Sequence, residues 1–266
     1  MMDHWSPLEL APGAAARRRV GPLHLWATRT AWEWSLAWAG NEPGALRWEG
    51  PAAETPPPAA ARARWAAPDG QTRLRLAPAA PDRGVVVRPG GPLLLPPGVH
   101  VRLFLAVPLW VRVVVGEGTT LLEVPTVHLS NTWFGEPGDG ELAWALRGEL
   151  LHDPAELRHG PHEAVCAVEI VHRGATQLDL GRLFLRAAHL GIFRAGERLW
   201  TSGVRAVYEG GDRLGSVEYL ATPPPEAAGA EPLAPPREQV AAGTLLRARD
   251  RLLRSLEINR FRWGGS

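Results

Sequence analysis

The chain has 266 residues, 45% of them hydrophobic and 21% charged, which is enough for one large domain or two modest ones with a buried core and excludes a disordered chain. Its 29 basic residues are all arginine and face 28 acidic ones, so the net charge of +1 argues against an overall electrostatic hold on nucleic acid. With 29 Gly and 26 Pro alongside them, the arginines read as the product of a GC-rich genome rather than as a recognition surface. Cys166, the one cysteine, excludes an intramolecular disulfide, and its strand-like setting between Val165 and Val168 predicts a buried small hydrophobe.

Residues 1–20 read as a flexible leader. Arg17-Arg18-Arg19 has no apolar run beside it, so a secretory signal is not expected. The most apolar stretch, Val99 to Val115, is broken by His100, Arg102, Pro108 and Arg112 and is not a spanning helix, so a cytoplasmic location is expected.

From Pro22 onward the period is two. Trp32, Trp34, Leu36 and Trp38 fall on one strand face, which reads as core rather than as a sugar-stacking ladder. Gly40–Gly44 predicts a turn into a short strand over 45–49, and 51–61 a Pro/Ala loop. Arg62–Ala66 and Thr72–Leu76 flank Pro68-Asp69-Gly70 as a hairpin. Val99–Val107 and Leu109–Val115 alternate on either side of Pro108, and Gly116-Glu117-Gly118 turns the second run into 119–127. Pro108 and Pro125 belong at bulges or edges. Further strands are predicted over 141–151, 164–173, 182–188, 198–201, 205–209 and 216–220, the last two joined by Gly210-Gly211-Asp212.

Two stretches echo one another in order. His24-Leu25, Trp34 and Leu36-Ala37-Trp38 are matched by His128-Leu129, Trp133 and Leu142-Ala143-Trp144, and Arg102–Leu105 by Arg182–Leu185. The fold class that follows is all-β, with two tandem, duplicated β-sandwich-like units over 21–127 and 128–221. Chance similarity in an Ala/Leu/Trp-rich chain is the alternative. A Pro-rich linker over 222–237 then leads to one C-terminal amphipathic helix and tail over 238–266, with Leu245, Leu252 and Leu256 on its apolar stripe.

The densest set of metal-type side chains runs from His152 to Glu163. His152, His159 and His162, with neighbouring carboxylates, could hold a divalent ion; a solvated loop between strands is the competing reading. Asn131–Glu141 carries Trp133 and Phe134, which either form an aromatic contact loop or fold back onto the sandwich. No Gly-x-Ser-x-Gly elbow or dinucleotide fingerprint is present, and a phosphate loop needs a lysine the chain lacks, so no catalytic residue and no cofactor is assigned beyond that metal.

The Asn131–Gly135 stretch and the Leu142-Ala143-Trp144 strand that follows resemble a prokaryotic family catalogued only as a domain of unknown function. The resemblance covers the central third of the chain and implies no site residues. The reading is a non-enzymatic binding or interaction module, with a metal-dependent enzyme using the 152–163 loop as the alternative. A protein partner or self-association through the C-terminal helix is expected; nucleic acid is not, and an anionic membrane surface is not favoured.

Overall fold

The computed structural model describes residues 5–40, 55–67, 70–91, 93–116, 118–135, 138, 140–210 and 213–239. In chain order the strands are β1 (Leu8–Glu9), β2 (Ala15–Val20), β3 (Leu23–Arg29), β4 (Glu33–Ala39), β5 (Ala61–Ala66), β6 (Arg73–Ala79) and β7 (Val85–Pro89). Next come β8 (Leu94–Leu95), β9 (His100–Pro108), β10 (Trp110–Val115), β11 (Thr119–Pro125), β12 (Ser130–Phe134), β13 (Glu141–Gly148) and β14 (Glu163–His172). The last are β15 (Leu178–Asp179), β16 (Leu183–Leu185), β17 (Ile192–Ala195), β18 (Arg198–Thr201), β19 (Val204–Gly210), β20 (Arg213–Tyr219) and β21 (Glu231–Ala234). Helical structure among the described residues is confined to short 3₁₀ turns at Ala187–His189 and Pro225–Ala227. No helix among them is long and apolar enough to cross a membrane.

Four of the sheets matter most. β2-β3-β4-β5 is an antiparallel meander, and β1-β6-β10-β11 a second sheet. The third has the order β12-β13-β7-β16, with β7 and β13 parallel. The largest runs β20-β19-β14-β18-β17-β21, with β9 antiparallel along the other edge of β14. Their inner faces share one core that includes Leu25, Trp34, Leu76, Leu105, Val113, Trp144 and Cys166.

Leu109 shows how one apolar run serves two sheets. Pro108 ends β9 opposite Glu163, and Trp110 begins β10 between Ala79 and Pro125. Proline offers no ladder donor, so the switch falls where one hydrogen bond is already missing. The buried Leu109 backbone is satisfied instead by the loops around it. Its N–H donates to the His162 carbonyl at 2.9 Å, and its own carbonyl accepts from the Thr126 N–H at 2.9 Å and hydroxyl at 2.6 Å.

Several expectations need correction. The leader is structured from Trp5 on: Trp5 is buried, and β2 pairs with β3 along its full length. The Pro68-Asp69-Gly70 turn does not close a hairpin, because β5 pairs with β4 whereas β6 pairs with β10 and β1. Nor do the two proposed units keep separate sheets, since β7 joins β13 and β16, and β9 joins β14. Trp38 and Trp144 hold different topological places, the first in an antiparallel meander and the second between an antiparallel and a parallel neighbour. The linker is also built in: β21 pairs with β17, Ala227 is buried, and Arg237 reaches the Ala80 carbonyl at 2.7 Å and the Glu123 carboxylate. The expected strand over 45–49 and the C-terminal helix from residue 240 lie outside the described residues.

Candidate functional site

The histidine-bearing segment is a pinned connector. Asp153 Oδ1 accepts the Ala155 N–H at 2.8 Å, and Glu163 Oε2 accepts the Gly160 N–H at 2.8 Å, so both carboxylates serve their own turn. Leu157 is buried beside Trp200, and Arg198 donates to the Pro154 carbonyl at 3.1 Å. The His162 ring fills the space over Gly21, where φ is +60° and a Cβ would overlap the imidazole; its Nε2 stands 3.8 Å from Glu163. His152 is exposed and His159 half-buried. Among the described residues, no three His, Cys, Asp or Glu side chains converge as a metal group.

The aromatic pair divides. Phe134 is buried and stacks on Phe184 with centroids 3.8 Å apart and planes at 11°. Trp133, its neighbour on the opposite strand face, is 49% exposed, and so is its cross-strand partner Leu142 at 46%. The segment is thus an edge strand, and of its two aromatic rings Trp133 is the one that faces solvent. The Trp32–Trp38 face also divides: Trp34 and Leu36 are buried, whereas Trp32 sits in the β3–β4 turn at 76% exposure.

Two of the cavities lined by described residues are large enough for a small ligand. One, of about 640 Å³, lies against β17, β20 and β21, with His189, Ser202, Tyr219 and Pro232 in its wall. Three of its polar groups already serve the fold. Ser202 Oγ accepts the Gly191 N–H, the Tyr219 hydroxyl accepts the Arg186 N–H at 2.7 Å, and His189 Nδ1 faces the Glu238 carbonyl at 3.3 Å. Burial pushes the Tyr219 phenol well above its ordinary range.

The other cavity, of about 660 Å³, lies on the outer face of the β2–β5 meander. Alternation puts it there. With Leu25, Trp34 and Leu36 directed inward, the opposite positions form cross-sheet rows: Arg17, Trp26, Ala37 and Arg62 in one, Ala15, Thr28, Ser35 and Arg64 in the next. Small residues make the trough, and arginines rise from both edge strands. Trp26 is buried at the floor with Ala37 and Ala60, and His24 stacks on it at 5.9 Å. Arg62 is held by the Pro57 carbonyl at 3.1 Å.

Among the described residues, charge in this cavity is one-sided. Arg64 donates through Nε to Glu33 at 2.9 Å, a bond that lowers the carboxyl, which Ser35 lowers further. Arg17 and Arg62 have no acidic partner among the described residues, so three guanidinium groups face one carboxylate. His24 records the resulting field. Burial, then Arg19 and Arg17, hold its imidazole below the ordinary value, since a second cation there is disfavoured.

Composition hid these residues. Where every base is arginine, Arg17 and Arg62–Arg64 carry no special signal; Ala61-Arg62-Ala63-Arg64 is a period-two string that marks a basic strand face, whereas the unbroken Arg17-Arg18-Arg19 run marks none.

The described residues form an all-β structure whose sheets share a main core, with an arginine-lined cavity on the N-terminal meander. The chain belongs to the family described as "Protein of unknown function (DUF432)", which matches residues 4–252 and so covers nearly the whole chain rather than a central third. No curated protein and no solved structure matches it.

Proposed function

We propose that the chain is a non-enzymatic binding module that holds a small anionic ligand on the outer face of the β2–β5 meander. The observation that carries this reading is the cavity of about 660 Å³ where Arg17, Arg62 and Arg64 face a trough of small residues. Its volume falls within the range of about 300–1,000 Å³ that small-molecule sites occupy. Guanidinium groups offer forked donors matched to carboxylate and phosphate oxygens, and Arg62 is already tethered by a backbone carbonyl, so less ordering is needed on binding.

Calorimetric titration at low ionic strength with phosphate, sulfate, succinate and citrate tests it. At least one of these anions is expected to bind the intact protein, and Arg17→Ala with Arg62→Ala to abolish that binding. Silence of all four, or binding unchanged in the double variant, would remove the reading.

A further inference from the structure

We propose that the cavity of about 640 Å³ beside β21 is a dock for this chain's own C-terminal segment, residues 244–256, whose leucine stripe closes it. The dock lies on the largest sheet and the anion cavity on the meander, so neither depends on the other.

Three observations carry it. The first is the lining. Ser202 and Tyr219 are buried, but the wall beside them is apolar and open to solvent. Ala221, Pro232 and Pro235 are exposed there, and Phe193, Leu220 and Leu233 are half-buried. Covering such a surface with an apolar side chain releases its water and stabilises the covered state.

The second is where the described chain ends. The Glu238 N–H donates to the Ala188 carbonyl at 2.9 Å, Arg237 is held by Ala80 and Glu123, and Gln239, the last described residue, stands in the cavity wall. Leu245 follows it by six residues, a reach of at most roughly 20 Å. So short a tether sets a local concentration on the order of millimolar, which a separate partner would have to match. The family match runs on to residue 252, through Leu245 and Leu252, so this stretch belongs to the family's domain.

The third is complementarity. Glu218 stands in the wall and Glu238 lies 3.9 Å from the wall residue His189; among the described residues neither meets an arginine. The segment and the residues after it carry Arg247, Arg249, Arg251, Arg254, Arg260 and Arg262 against Asp250 and Glu257. At helical spacing Leu245, Leu252 and Leu256 share one stripe with Arg249 at its margin. An apolar stripe edged by a base suits an apolar groove edged by an acid.

Limited tryptic digestion of the full chain, read by mass spectrometry at Arg247, Arg249, Arg251 and Arg254, tests the dock, because cleavage follows the population in which the segment is released. These bonds are expected to be cut roughly tenfold or more slowly in the intact protein than in a variant carrying Leu245→Asp and Leu252→Asp. Two groove variants, Ala221→Arg and Glu218→Arg, should each speed cleavage roughly fivefold or more. Ala31→Arg, in the β3–β4 turn, serves as the control and should leave the rate unchanged. Cleavage of the intact chain as fast as that of the leucine variant would overturn the proposal. Protection retained in both groove variants would also overturn it, since the segment would then rest elsewhere. Protection that grows between about 1 µM and about 50 µM protein, with a doubled mass by sedimentation, would assign the groove to the tail of a second copy and overturn the intramolecular dock.

Discussion

Trp144 donates its indole N–H to Asp82 Oδ1 at 2.7 Å, tying the middle of β13 to the residue pair that leads into its parallel neighbour β7. The same ring lies 6.0 Å from Trp110 and carries the Arg83 guanidinium 4.8 Å above its centroid. Asp82→Ala leaves a largely buried donor unpaired, and a loss of about 1–3 kcal/mol is expected. Trp144→Ala, which also empties the site, should cost about 3–5 kcal/mol. Urea denaturation of both variants checks the order; equal losses would mean the hydrogen bond contributes nothing separate from packing.

Glu123 links the built-in linker to the second sheet. Burial alone would raise its carboxyl, but the bonds from Arg237 and Arg112 outweigh that and hold it below the ordinary value. A carboxylate so held binds protons less readily folded than unfolded. Its contribution is therefore complete above about pH 4.3 and disappears as pH falls through the lower folded value. Glu123→Gln should lower the melting temperature at pH 7 and flatten the fall in stability between pH 5 and pH 3. An unchanged acid limb would assign that fall to other carboxylates.

Phe134 and Trp133 separate core from surface within one dipeptide. Phe134→Ala is expected to cost about 3–5 kcal/mol through loss of the Phe184 stack. Trp133→Ala, whose ring is half exposed and lies over Gly140, should cost clearly less than Phe134→Ala. Chemical denaturation of the two proteins measures both; a large loss for Trp133→Ala would place it in packing rather than on the surface.

Cys166 is fully buried in β14, and burial pushes its thiol up to about 12 even though Thr201 hydrogen-bonds to it. The native protein should resist a thiol reagent at pH 8 and react fully in denaturant. Rapid native labelling would contradict this burial.

Much of the fold could be read from alternation. The runs on either side of Pro108 became β9 and β10, and the 205–209 and 216–220 segments fall in the paired β19 and β20. Alternation specifies which face of a strand is buried but not which strand lies beside it. That is why Pro68-Asp69-Gly70 misled: Leu74 and Leu76 are buried, and their partners are Val115 and Val113, nearly forty residues on. Arg17-Arg18-Arg19 looked like a loose basic leader because the Ala and Val around it are weakly apolar; pairing to β3 decides its conformation. The candidate site was hidden for a related reason. Arg17, Trp26, Arg62 and Arg64 come from three strands, and only the meander's register places them together.

The parallel pairing of β7 with β13 sets a timetable for synthesis. The meander can close from consecutive segments as they leave the ribosome, but Val85, Val86 and Val87 find Trp144, Ala145 and Leu146 only after a much longer stretch has been made. At about 5–20 residues per second that wait is roughly 3–12 s. Throughout it a three-valine strand has no sheet to join, which is the condition in which nascent β-chains aggregate. Expression yield should therefore respond to growth temperature and to chaperone supply more than the stability of the finished protein would suggest.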